Sequence, residues 1–366
     1  MTAKRQARFA RLRERMAGAG LDALLLSVGA DLPWLTGYEA MPLERLTMAV
    51  VPADGEATLV VPRLEAPRVV VDPDVFSLRA WSEHEDPVAI VASLVGKRSS
   101  LAVSDRTWAT FLLALQTTLP SATWTPAGRI TGPLRAVKDP DEIEALAAAS
   151  AAADSVAVAL LEGDIPLVGR SEREVSADIS RRLLDAGHHR VNFAIVASGP
   201  NAASPHHEAS ERQIQAGEAV VCDFGGTLDG YCSDITRTVW TGPPDTFEVE
   251  VYKVVQQAQA EASRAARVGA TCEQVDAAAR SVIASAGFGD FFIHRTGHGI
   301  GVEEHEDPYI VAGNVERLVA GNAFSVEPGV YLPGRFGVRI EDIVVAEPSG
   351  ARCLNVADHD MVIVGG

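Results

Sequence analysis

The chain has 366 residues, too many for one ordinary core and about right for two domains. Its 32 basic against 49 acidic residues leave a formal charge of −17, which argues against nucleic acid and against anionic lipid as partners. The 47 % hydrophobic share is that of a globular protein, and no uninterrupted apolar run is long enough to suggest a membrane span.

The first stretch, MTAKRQARFARLRERM, is basic and lacks the apolar core and cleavage site of a signal peptide. Phe9, Leu12 and Met16 fall on one helical face, so an amphipathic first helix is expected, with an Arg-rich transit peptide as the alternative. Residues 21–28 read as a buried strand, and 47–52 and 57–62 flank Ala-Asp-Gly-Glu, a hairpin signal. A strand at 100–104 and a helical stretch near 107–118 complete an α/β domain with a mixed sheet. Gly132-Pro133 is expected to break the chain, which sets domain limits of 1–132 and 133–366. Asp139, Pro140 and Glu142 then form a capping box ahead of an Ala-rich helix running to about Glu162.

Residues 167–188 and 267–288 are weakly alike: Gly169 matches Gly269, Val175 matches Val275, Ala177 matches Ala277 and Gly187 matches Gly287. Each segment opens with a capping box, Ser171 with Glu174 and Thr271 with Gln274. Two similar halves would make a pseudo-symmetric domain with a cleft where their sheets meet. The four cysteines, Cys222, Cys232, Cys272 and Cys353, form no CxxC pair; Cys222 and Cys232 read as small buried hydrophobes in strands, and the usage fits a reducing cytoplasm.

The stretch VVCDFGGTLDGYCSDITRTV (220–239) reads as two apolar strands around a Gly-rich turn, each with an aspartate, Asp223 and Asp234. With the turn centred between Leu228 and Asp229, the two face each other with Cβ atoms about 4.5–5.5 Å apart. Buried carboxylates that close repel unless a cation, or two about 3.5–4 Å apart, sits between them. A pair of solvated aspartates near a turn is the competing reading. Arg237, three residues beyond Asp234, should face the other side of its strand.

Further acceptors follow. His294, His298 and His305 lie among glycines in IHRTGHGIGVEEHEDP, and Glu327 sits in an apolar strand ahead of Pro328-Gly329. Arg339 and Glu341 share one strand face, with Asp342 on the other. Two Asp, two Glu and one His form an oxygen-rich set that suits two divalent ions and metal-assisted hydrolysis of a small polar substrate. Mn²⁺, Co²⁺ and Zn²⁺ are all tolerable, and oxygen-rich sites lean toward Mn²⁺.

At these residues the chain resembles the pita-bread metallopeptidase family (M24), which includes methionine aminopeptidase, Xaa-Pro aminopeptidase and prolidase. The resemblance covers nearly the whole chain. It implies an α/β fold class: a creatinase-type N-terminal α/β domain with a mixed sheet, followed by a pseudo-symmetric α+β pita-bread catalytic domain. In the N-terminal stretch LDALLLSVGADLPWLTGYEA, Trp34 stands where the family usually has Tyr. The implied metal ligands are Asp223, Asp234, His298, Glu327 and Glu341. Asp234 and Glu341 would bridge two ions, and Glu327 would also shuttle the proton. The implied catalytic set adds His206 on the leaving side, His294, His305 as donor to the scissile carbonyl, and Arg339. The family's usual HGIGLxVHE is HGIGVEEHE here, with Glu304 in place of an aliphatic.

Methionine aminopeptidases generally lack the N-terminal domain, and creatinases work without metal. The resemblance therefore implies hydrolysis of the Xaa-Pro bond of dipeptides (prolidase) by a hydroxide bridging two metals. An Xaa-Pro aminopeptidase acting on longer peptides is the alternative; both take small peptides with proline in second position. A non-catalytic metal-containing binding protein and a structural metal site are readings from other classes. Dimeric relatives lean the N-terminal domain over the partner's active site. In an expected homodimer Arg45 would then bind the carboxylate of a C-terminal proline, against a surface pairing with Glu44.

Overall fold

The structure, a computed structural model, describes residues 2–365, which divide into two compact units, one up to Leu134 and one from Arg135 on. In the first unit α1 (Thr2–Gly18) buries Phe9, Leu12 and Met16, the face expected from their spacing. The sheet consists of β1 (Ala23–Leu26), β2 (Met48–Pro52), β3 (Ala57–Pro62), β4 (Phe76–Trp81), β5 (Ser100–Val103) and β6 (Thr123–Pro126). Its order is β4-β3-β2-β1-β5-β6, and it is mixed: β1–β2 and β2–β3 are antiparallel, the rest parallel. Helices α2 (Asp31–Thr36), α3 (Pro87–Val95), α4 (Ala109–Thr118) and α5 (Gly128–Arg135) complete it. Val91 and Val95 of α3 and Leu115 of α4 join Leu25, Val50, Val60 and Leu101 in its core. Gly132-Pro133 does not break the chain as expected, because both residues lie inside α5. The helix ends two residues after Pro133, and the connection to the next helix falls at residues 136–139, where Lys138 N donates to Gly321 O.

The second unit is built from two halves. In one, α6 (Pro140–Leu161) and α7 (Glu172–Asp185) cover β7 (Arg190–Ser198), β8 (Ala219–Leu228), β9 (Tyr231–Cys232) and β10 (Ile235–Trp240). These strands run in the order β10-β8-β7, with β9 on β8. In the other, α8 (Thr246–Ala265) and α9 (Cys272–Ser285) cover β11 (Gly297–Gly299), β12 (Glu306–Ile310), β13 (Ala323–Val326), β16 (Asp342–Glu347) and β17 (Gly350–Cys353). Their order is β12-β11-β13-β16-β17, and β14 (Gly329–Leu332) with β15 (Phe336–Arg339) forms a separate hairpin. The weak sequence repeat is structural: α7 and α9 are both 14-residue helices, each opened by its capping box. By length and composition α6 could span a bilayer. Here its Leu146, Ala149, Ala153, Ala157 and Leu160 are fully buried and pack against β8, β9 and β10, so core burial accounts for its apolar character.

The β8 hairpin departs from the expected register. Leu228 pairs with Tyr231, so the turn is Asp229-Gly230, and both residues have positive φ, at 49° and 83°. That is the left-handed pair that a two-residue hairpin turn requires, and Asp-Gly supplies it. The shift sets Asp223 opposite Thr236 rather than opposite Asp234. Asp234 is a diagonal neighbour on the same face, still within reach of a shared cation.

Candidate active site

Side chains from both halves of the second unit line one cavity of about 560 Å³. All nine residues expected there are brought together: His206, Asp223, Asp234, His294, His298, His305, Glu327, Arg339 and Glu341. Arg45 belongs to the other unit, where it pairs with Glu44 and, at 2.8 Å, with Glu83.

The backbone aims these groups. A Cβ at Gly297 would collide with the Ser325 carbonyl and one at Gly299 with the Asp307 carbonyl, so β11 can lie this close to its neighbours only with glycine on both sides of His298. His298 N donates to Ser325 Oγ at 3.0 Å, and Ser325 Oγ donates to Glu327 Oε1 at 3.2 Å. The bridge between Thr236 and Glu341 joins the sheets of the two halves, and Thr236 Oγ1 donates to Glu341 Oε2 at 2.6 Å.

Asp234, His298 and Glu341 offer ligand atoms that all lie within 4.8 Å of one another. His298 Nε2 is 3.7 Å from Asp234 Oδ2 and 3.4 Å from Glu327 Oε1. Its Nδ1 is 3.1 Å from Gly299 O, so Nδ1 carries the proton and Nε2 turns a lone pair toward the carboxylates. Burial, then His305, pulls its pKa down to about 3, so the ring is neutral. Asp223 Oδ1 and Asp234 Oδ1 are buried without a hydrogen-bond partner. Burial, then mutual repulsion, holds the carboxyls of Asp234 and Glu341 well above the usual carboxylate range, and burial raises Glu327 as well. Orphaned carboxylate oxygens, an inward imidazole lone pair and uncompensated repulsion fit a bound cation. The protein's own cation here is Arg339, whose guanidinium donates to Asp223 Oδ2 at 2.5 Å and to Thr236 Oγ1 at 3.0 Å.

The other histidines differ in freedom. His294 has both nitrogens engaged, Nδ1 with Arg295 O at 2.7 Å and Nε2 with the Tyr331 hydroxyl at 2.8 Å. A carbonyl can only accept, so Nδ1 bears the proton and Tyr331 donates to Nε2, while Arg339 donates to Tyr331 at 2.8 Å. Burial, then Arg339, lowers His294 to about 4. His206 forms no hydrogen bond among the described residues and lines the cavity beside Pro205. His305 lies against His298 with ring centroids 3.9 Å apart and the rings tilted by 46°, and Arg295 approaches its Nδ1 at 3.5 Å. Sequence reasoning missed Tyr331 and Thr236. Alternation could have found them: Thr236 lies two residues beyond Asp234, and Tyr331 two beyond Gly329.

Comparisons with known proteins agree with this geometry. Residues 143–348 match Metallopeptidase family M24, and residues 8–137 match the Creatinase/Prolidase N-terminal domain. The crystal structure of dipeptidase PepE from Mycobacterium ulcerans superposes with a TM-score of 0.93 at 44 % identity, covering 100 % of this chain and 99 % of that one. The prolidase of Thermococcus sibiricus superposes with a TM-score of 0.93 at 36 % identity, over 98 % and 99 %. The Xaa-Pro dipeptidase of Lactobacillus helveticus is 36 % identical over 369 residues, 97 % of this chain and 98 % of its own. The chain is a metallopeptidase and belongs to family M24, with a creatinase-like N-terminal domain ahead of the pita-bread domain.

Proposed function

We propose that the protein hydrolyses the Xaa-Pro bond of dipeptides with two divalent ions held by Asp223, Asp234, His298, Glu327 and Glu341. The observation that carries this reading is the cluster of buried carboxylates around the His298 Nε2 lone pair, with Asp223 Oδ1 and Asp234 Oδ1 left without hydrogen-bond partners, inside a cavity large enough for a dipeptide. Relatives at 36 % identity that are an Xaa-Pro dipeptidase and a prolidase support the substrate class. When bound, the ions supply the positive charge that lets these carboxylates ionise, acidify a water and polarise the scissile carbonyl.

The chain's own residues do the rest. Water adds to the carbonyl carbon of the first residue, and the C–N bond to proline breaks. Glu327 has a raised pKa and sits where it can take the proton at Oε1 from the attacking water and return it to the proline nitrogen, which must leave as an amine. His305 donates to the carbonyl oxygen as negative charge develops there. His206, free of protein partners, meets the substrate on the leaving side. Arg339 holds Asp223 and Tyr331, and Tyr331 in turn holds His294, so Arg339, Tyr331 and His294 form a fixed wall. The reading extends to manganese as the working metal, for which the oxygen-rich donor set speaks, and to a cytoplasmic homodimer.

The test is hydrolysis of Ala-Pro, Ala-Pro-Ala and Ala-Ala by enzyme stripped with chelator and then supplied with Mn²⁺, Co²⁺ or Zn²⁺. Turnover of Ala-Pro above the other two, restored by metal, is the expected result. Preference for Ala-Pro-Ala would make the protein an aminopeptidase, and no turnover after metal return would end the reading.

A further inference from the structure

Between β7 and β8 the chain crosses the cavity wall with little regular structure, a single 3-10 turn at Gly199–Ala203. This segment carries Pro205 and His206, and a wall that presents a reacting group must be held still. Arg339 reaches Pro205 O at 3.4 Å and Arg212 reaches Ser198 Oγ at 2.7 Å, but most side-chain hydrogen bonds that hold the segment converge from outside the cavity on Glu172, the first residue of α7.

Glu172 is fully buried. Its Oε1 accepts from Ser198 N and Ser198 Oγ, both at 2.8 Å, and from Asn201 Nδ2 at 3.0 Å. Its Oε2 accepts from His207 Nε2 at 2.8 Å, Ser210 N at 3.1 Å and Ser210 Oγ at 2.6 Å. The donors therefore bracket His206 on both sides in sequence, and its immediate neighbour His207 is pulled toward Glu172 while His206 lines the cavity. No Lys or Arg is among these donors. The helix start and the donors together keep the anion stable: although burial pushes its pKa up, the hydrogen bonds from Ser210, His207, Ser198 and Asn201 bring it down to about 2.

Capping does not explain this carboxylate. The Ser171–Glu174 box already caps α7, and α9 is capped in the same way with Cys272 at the matching place, buried in an apolar core. The half that carries His206 therefore spends a buried anion where its counterpart uses a thiol. We infer that Glu172 is a positioning residue for the peptidase reaction, fastening the 198–210 segment so that His206 is presented to the substrate. The inference rests on the reading that His206 meets the substrate.

The experiment is a double-mutant cycle on the metal-loaded full chain, with Ala-Pro as substrate and variants Glu172→Gln, His206→Ala and both together. An amide at 172 turns a donor toward donors and leaves at least one unpaired. Glu172→Gln is expected to lower kcat/KM by about 10–100-fold at unchanged metal content, and to add little in the His206→Ala background. Should Glu172→Gln fold poorly, His207→Phe keeps a ring but removes one donor, and enters the same cycle with a smaller expected loss. Effects that simply multiply, or full activity in Glu172→Gln, would overturn the inference while wild-type turnover kept the peptidase reading intact. A readout independent of turnover is the His206 ring resonance of ¹³C-histidine-labelled protein. It is expected to shift in both Glu172→Gln and His207→Phe, and an unmoved signal overturns the inference even if no peptide is cleaved.

Discussion

Glu341 and Asp342 are neighbours in the chain, and their two sides of the sheet handle buried charge in opposite ways. Asp342 accepts from Arg237 at 2.8 Å, Gln259 at 3.1 Å and His359 at 2.6 Å. Burial opposes its ionisation, but His359 and Arg237 outweigh it and hold the carboxyl below the usual range. On the cavity side Glu341, Asp234 and Glu327 have Arg339 as their nearest protein cation, with Arg295 a weaker influence on Glu327, and all three are raised. The protein thus supplies enough of its own positive charge on one side and falls short on the other, which is where an external cation belongs.

The sharpest way to break this contrast is Asp234→Ala. It should lower kcat/KM by about 10³-fold or more and reduce bound metal measured by elemental analysis, with little loss of fold. Arg237→Met should do the reverse. Leaving Asp342 short of its main cation costs about 3–5 kcal/mol in urea unfolding, while metal per folded molecule stays the same. Arg237 is buried and also donates to Asp358 O, Glu341 O and Ala357 O, so the loss will show in stability before it shows in catalysis. Stripping the metal should lower stability by about 2.7 kcal/mol relative to protein held at a hundred times the dissociation constant. Differential scanning calorimetry with and without chelator measures it, and a melting point indifferent to metal would contradict the contrast.

Glu172 is a third buried carboxylate, stabilised by hydrogen bonds with no Lys or Arg among the donors, and its pH signature sharpens the comparison. Its folded pKa, about 2, is depressed from the ordinary 4.5. The stability it contributes is therefore complete above about pH 4.5 and lost as pH falls toward about 2, a change on the order of a few kcal/mol. Acid unfolding of Glu172→Gln should have a correspondingly flatter slope across that window. The smallest expected effect belongs to Arg45, tied to Glu44 and Glu83. Arg45→Ala should raise KM a few-fold for Xaa-Pro dipeptides and leave tripeptides unchanged; equal effects on both would remove its proposed role.

The site was legible because carboxylates stand out inside apolar strands: Asp223, Asp234, Glu327 and Glu341 each interrupt a run of aliphatics. The helices were legible from caps, since a capping box names its own first residue. The hairpin register was not, because counting from the glycines centres the turn one residue too early, while the backbone prefers Asp229-Gly230 for its two left-handed positions. Glu172 was hidden for another reason. An acid at the first position of a helix reads as a solvated partner of the dipole, and only the return of the chain after β7 buries it. Tyr331 and Thr236 fall on the alternation of the site strands but carry no charge to mark them out, so only their contacts with distant segments reveal their roles.

The Asp229-Gly230 tip is exposed, and exposed tips are where chains usually tolerate inserted residues. This one should not. If β10 took up a single added amino acid by moving one step along β8, its inward and outward side chains would swap, sending Thr236 away from Glu341 and Arg237 into the cavity. Loop grafting, epitope tagging or permutation at this conspicuous surface corner would rewire the interior from a distance, so engineers should choose another point of entry.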